Sequence, residues 1–161
     1  EKHSKYMISH TIGWPYETGA AMTRLVFSGI FDKYPELKII THHAGGVIPY
    51  FEQRIIGAYD YAEFVMHKAK YRNNLRKAPI EYFKMFYADT AVYGNAPALM
   101  CAHAFFGTDH LLFGTDFPFD NQFGERYIRQ TLEAVERMAL DQAEKKKIFA
   151  DNARRLLRLP L

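Results

Sequence analysis

The sequence predicts an α/β fold with parallel strands joined by crossover helices. Three observations lead there. A first helical segment is followed by strand and helix three times over, and such alternation makes the strands parallel with helices covering them. The strand candidates are short apolar runs, as expected of strands buried on both faces. Two of them stop at residues that end a ladder: His42 to Gly46 after the first, and Pro118 after the last.

The elements follow in order. Residues 1 to 14 have no clear period and hold His3 and His10. Pro15 suits a first helical position, and Glu17 favours the positive end of the helix dipole. Met22, Leu25, Val26, Gly29 and Ile30 recur at helical spacing, which predicts a helix to about Lys33, ended by Tyr34-Pro35. Leu37 to Thr41 reads as a strand. A second helix runs from about Ile48 to a basic stretch, with Pro79 beyond it. Lys84 to Thr90 is the next strand, Ala96 to Phe106 a helix, and Leu111 to Thr115 the third strand. Helices over Arg126 to Met138, Gln142 to Phe149 and Asn152 to Leu157 close the chain.

At 161 residues the chain fits one domain, 1–161, with a real core. An apolar share of 48% with 16% aromatic residues excludes disorder. The formal charge of +3 is too mild to argue for nucleic acid. The basic run Lys68 to Lys77 reads as a solvated face rather than a lid for an anionic substrate. Cys101 is the single cysteine, so no internal disulfide forms and a reducing, cytoplasmic setting is expected. No apolar stretch approaches the roughly 18 residues of a membrane span, and no secretory signal is visible. The chain opens with Glu1 rather than Met, which suggests a piece of something longer or a processed product.

The chemistry centres on Leu111 to Phe119, where Asp116 follows the third strand. In a parallel α/β sheet the carboxyl ends of the strands carry the reacting groups. An Asx-turn or helix cap is an equally good account of an aspartate in this place. Side chains alternate along a strand, so Ile39, Thr41 and His43 share one face, Ile40 and His42 the other, and Leu112, Gly114 and Asp116 share a face. If these faces point into a barrel, His43 and Asp116 meet at its rim, with the residue types used for metal ligation or proton transfer. Parity gives His42 the packing role. No two histidines are separated by a single residue, and one histidine with one aspartate falls short of the three or four protein ligands of a zinc site.

Phe31 to Lys38, then Thr41-His42-His43-Ala44-Gly45-Gly46-Val47-Ile48-Pro49 and Arg54, resemble the central signature of the decarboxylase-type amidohydrolases (the amidohydrolase 2 family). Phe86 to Thr90, Leu111 to Phe119 and Asn152 to Leu157 resemble the same family in the same order, from about Gly13 onward. Members include aminocarboxymuconate-semialdehyde decarboxylase and γ-resorcylate decarboxylase. The resemblance implies a (β/α)₈ barrel with a metal at its carboxyl rim. It makes Asp116 the metal-binding aspartate of the last strand, able also to pass a proton. It makes His43, six residues before Pro49, the proton-transferring histidine that closes the sixth strand. Arg54 falls where aminocarboxymuconate-semialdehyde decarboxylase has an arginine reaching across a dimer interface to a substrate carboxylate; a helix-surface arginine is the alternative. His10 stands where that enzyme has a substrate-lining tryptophan, and with Trp14 it is a candidate substrate-binding residue.

The family's first strand supplies His-X-His and its fifth another metal histidine, and this chain begins after both. A whole barrel takes about 250 residues, so the expected fold is the C-terminal half of a (β/α)₈ barrel carrying part of the metal site. The implied activity is metal-dependent decarboxylation of an aromatic or unsaturated carboxylic acid, by a dimer using zinc or, as the alternative, manganese. Metal-dependent hydrolysis or hydration is the rival within the fold. The rival of another class is a catalytically incomplete half-barrel that associates with a partner.

Overall fold

The computed structural model describes residues 4–67 and 75–160. A π-helical turn, Ser9–Gly13, leads into α1 (Trp14–Phe27), followed by α2 (Ile30–Lys33), β1 (Ile40–Thr41), α3 (Glu52–Phe64), α4 (Pro79–Phe83) and β2 (Tyr87–Asp89). Then come α5 (Ala96–Phe106), β3 (Leu111–Leu112), α6 (Glu125–Glu136), α7 (Gln142–Lys146) and α8 (Asn152–Leu157). The three strands form one parallel sheet in the order β1-β2-β3. Ile40 pairs with Tyr87, and Ala88 with both Thr41 and Leu111.

Each helix has a local cause. Met22 and Val26 bury the inner face of α1, and the Asn95 side chain caps α5 by accepting from the Ala98 amide at 3.2 Å. Asp141 and Glu144 form a reciprocal capping box at the start of α7. The helix expected to reach Lys33 is instead two helices, because Gly29 adopts a left-handed φ of 73° between them. The strand expected from Lys84 begins only at Tyr87: Pro79 starts α4, whose last turn sends Tyr82 and Phe83 into the core. Of the basic run, Lys68, Lys70 and Arg72 lie outside the described residues. The amides of Arg76 and Lys77 donate to the buried Tyr82 hydroxyl, which donates to Asp32.

β2 and β3 are shorter than the apolar runs because groups outside the ladder take over the pairing at their ends. Thr90 is fully buried; its hydroxyl accepts from the Gly114 amide at 3.0 Å and donates to the Gly114 carbonyl at 2.9 Å. On the other flank the Phe113 amide donates to the Ile148 carbonyl at 3.0 Å. The core gathers Phe31, Phe83, Phe86, Leu99, Leu111 and Ile148 around this sheet. Among the described residues no helix is long and apolar enough to cross a membrane.

Gly46 closes the turn after β1 with φ 61°, and a Cβ there would lie 2.6 Å from the Pro15 carbonyl oxygen. With ψ at −123° Gly46 lies outside the left-handed helical region, and Gly46→Ala is expected to cost about 1–3 kcal/mol in conformation alone, with the contact added. Thermal unfolding followed by circular dichroism should show a fall of several degrees in Tm; an unchanged Tm would mean the turn relaxes freely.

Candidate functional site

The three strands deliver their carboxyl ends to one open cleft of about 980 Å³, lined by residues that include His10, Trp14, His43, Tyr93, Asp116 and Phe119. His43 and Asp116 thus face a common space, although β2 lies between the strands that carry them.

His43 leaves β1 in a left-handed conformation (φ 51°), as does Ala44 (φ 53°). Its Nδ1 is 2.8 Å from the Ala91 carbonyl. A carbonyl only accepts, so Nδ1 carries the hydrogen and Nε2 of the neutral ring keeps a lone pair. His42 remains extended, and its Nε2 is 2.8 Å from the Thr18 hydroxyl. Thr18 donates to the Trp14 carbonyl at 3.0 Å, so His42 is the donor in that pair and is held away from the cleft lining. The two histidines separate because the backbone turns at His43. Strand parity, which assumes a regular strand beyond Thr41, supplies no cause there.

Asp116 also has a left-handed φ, 64°, and its Oδ2 accepts from the Tyr93 hydroxyl at 3.0 Å. Tyr93 itself stands at φ 55°, with its ring centroid 5.9 Å from His43 and 4.6 Å from Tyr127. Positive φ is uncommon outside glycine and costs of order 1–3 kcal/mol. Five non-glycine residues of the cleft lining have such a φ, Met7 and Phe123 being the other two; His43, Tyr93 and Asp116 are each held by a contact from another strand end, which marks a place where geometry outweighs local preference. Tyr93 belongs to no motif in the sequence, and its position in the loop after the second strand is the signal that points to it.

Burial and then the bond to Asp116 push the Tyr93 phenol up to about 12, from 10. A raised folded-state value means the folded chain holds this proton where the unfolded chain releases it. The associated stability is present below about pH 10 and is lost as pH rises toward about 12. Tyr93→Phe is expected to flatten the alkaline limb of a Tm-against-pH curve; an unaltered limb would show that the bond is absent in solution. Asp89, at the end of β2, is raised by burial, partly offset by amide bonds from Ala91 and Ala44 and by the neighbouring histidines.

His10 and Trp14 stand on the cleft wall with ring centroids 3.7 Å apart. Arg54 is exposed on α3 and is not among the lining residues; the described lining contains no lysine or arginine at all. The Asp116 carboxylate and His43 Nε2 are donors suited to a divalent cation. Among the described residues no group of three or more His, Cys, Asp or Glu side chains could hold a metal, so these two fit part of such a site.

A family model described as amidohydrolase matches residues 3–159. γ-Resorcylate decarboxylase from Polaromonas sp. is 33% identical over 156 residues, covering 96% of this chain and 44% of that protein. Among solved structures, IDCase from Metarhizium anisopliae superposes with a TM-score of 0.81 at 28% identity, over 98% of this chain and 43% of that one. Dihydroxybenzoic acid decarboxylase from Polaromonas sp., solved with bound manganese and the inhibitor 2-nitroresorcinol, gives a TM-score of 0.73 at 31% identity, over 94% and 45%. The chain therefore spans less than half the length of these proteins, and its three-stranded parallel sheet with flanking helices is half of a (β/α)₈ barrel.

Proposed function

We propose, from the premise that this chain belongs to the amidohydrolase family, that it contributes to decarboxylation of an aromatic or unsaturated carboxylic acid. The observation that carries the proposal is the placement of His43 and Asp116 on one cleft at the carboxyl ends of parallel strands. The decarboxylases among its relatives support it.

Loss of CO₂ leaves negative charge on carbon, so the reaction needs an electron sink and a proton donor. A divalent metal, held by Asp116 with further ligands from outside the described residues, would draw that charge toward itself through substrate oxygens. His43 exchanges protons only through Nε2, because Nδ1 is committed to the Ala91 carbonyl. Asp116 is restrained by Tyr93 and is the second group able to deliver a proton to carbon. Trp14, Phe119 and Tyr127 offer flat apolar walls to an aromatic ring.

Manganese is the ion of the Polaromonas dihydroxybenzoic acid decarboxylase, and we take it as the first to load, with zinc second. Arg54, exposed on α3, is offered as the residue that reaches a partner's substrate in a cytoplasmic dimer. With Asp116 the one metal donor this proposal assigns among the described residues, activity belongs to the assembled barrel. That also favours the reading of an isolated chain as catalytically incomplete, pairing through its open sheet. The test is CO₂ release from a panel of hydroxylated benzoates, with metal loaded and after chelation. Release that disappears with the metal and returns on its addition is expected. No release from any acid by the assembled, metal-loaded protein would overturn decarboxylation in favour of hydrolysis or hydration.

A further inference from the structure

The second strand ends in Tyr87-Ala88-Asp89-Thr90, and the cleft chemistry above uses none of these residues. Asp89 nonetheless touches both backbone segments that hold the histidine. Its Oδ1 accepts the Ala91 amide at 3.0 Å and the Ala44 amide, 45 residues away, at 3.3 Å. Ala91 in turn presents its carbonyl to His43 Nδ1, and Ala44 follows His43 in the left-handed turn. The third strand makes room for this arrangement: a Cβ on Gly114 would stand 3.1 Å from the Asp89 Cβ.

We propose that Asp89 is a positioning residue, a single carboxylate oxygen that clamps the His43–Ala44 turn to the Ala91 peptide and so fixes the imidazole with its hydrogen on Nδ1 and Nε2 open to the cleft. Four groups close a ring: the Asp89 carboxylate, the Ala91 peptide, the His43 imidazole and the Ala44 amide. Without the clamp the left-handed turn loses a bond that offsets its conformational cost, and the Ala91 carbonyl is free to swing away from the ring. The role rests on His43 being the proton-handling residue of the proposed reaction, but it concerns the imidazole itself and can be read without turnover.

The experiment uses the full chain with nitrogen-15-labelled histidine, at alkaline pH where imidazoles are neutral. Long-range proton–nitrogen correlations report which ring nitrogen bears the hydrogen, and His43→Gln assigns the His43 signals. Wild type is expected to show one tautomer at His43, protonated on Nδ1. Asp89→Ala is expected to convert it to the mixed tautomers of an unheld histidine. His103 and His110 serve as internal controls, since they bond to Thr108 and to the Phe86 carbonyl and do not touch Asp89. Asp89→Asn keeps a carbonyl oxygen in place and is expected to restore the single tautomer. In the assembled, metal-loaded protein the alanine variant should lose about 10- to 100-fold in kcat, as removal of an orienting partner does, and the asparagine variant should recover most of it.

A single Nδ1-protonated signal that survives in a folded Asp89→Ala chain overturns the proposal. So does a mixed signal in Asp89→Asn with the controls unmoved, because the carboxylate charge rather than the acceptor would then be holding the ring. Should the alanine chain lose its dispersed spectrum, the asparagine variant alone decides by the same criterion. Failure of the decarboxylation reading leaves these tautomer results standing, and a negative tautomer result leaves CO₂ release untouched.

Discussion

Asp116→Asn is expected to lower metal-dependent CO₂ release by about 10²- to 10⁴-fold, the range for loss of a positioned acid or base. The substitution is nearly isosteric, and the asparagine carbonyl can still accept from the Tyr93 hydroxyl that now bonds to Oδ2. What is removed is the charge, and with it both a metal donor and a group that can carry a proton to carbon. Tm should therefore change little while kcat collapses, and metal content by elemental analysis should fall alongside. If the variant keeps its activity within a few-fold of wild type with full metal loading, Asp116 is the turn residue that the strand end by itself also allows. Arg54→Ala offers a contrast. Arg54 lies outside the cleft, so on the proposed dimeric arrangement any loss there should be a rise in KM.

Asn152→Leu is expected to be the most destabilising single change away from the cleft. Asn152 is fully buried at the start of α8. Its Nδ2 donates to the Thr108 carbonyl at 2.7 Å and to the Leu111 carbonyl at 2.8 Å, and its Oδ1 accepts from Arg155. Leucine fills similar space and offers no donor, leaving the buried Leu111 carbonyl and the half-buried Thr108 carbonyl short of a partner, at about 1–3 kcal/mol for a buried group. A total near 3 kcal/mol corresponds to a fall of roughly 6–12 °C in Tm for a chain of this size. Thermal unfolding by calorimetry measures it, and a drop under about 1 °C would show that α8 docks without this side chain. Because Leu111 starts β3, the loss should also loosen the approach to Asp116, a change visible as faster amide exchange over 113–116.

Much of the framework was legible from local pattern. The helix over Ala96–Phe106 has the bounds the sequence predicts, and Asn152–Leu157 is the short terminal helix it also predicts. That the three strands run parallel follows from alternation, whereas their order does not. Their lengths do not either, because the Thr90 hydroxyl and the Ile148 carbonyl take the place of ladder partners. Nor was α4 legible: five residues are too few for a periodicity to show against the apolar run that follows them.

What the sequence determined by itself is the supply of chemistry: an imidazole after one strand, a carboxylate after another, and helices whose caps and periodicity need only neighbours to act. What the tertiary structure alone decided is which atoms of those residues are free to react. His43 owes its tautomer to a carbonyl 48 residues away, and Asp116 its restraint to a phenol 23 residues away. Both, with Tyr93, sit in backbone conformations their own side chains disfavour. A disfavoured conformation persists only when distant contacts outweigh it, so no pattern among near neighbours could have revealed it.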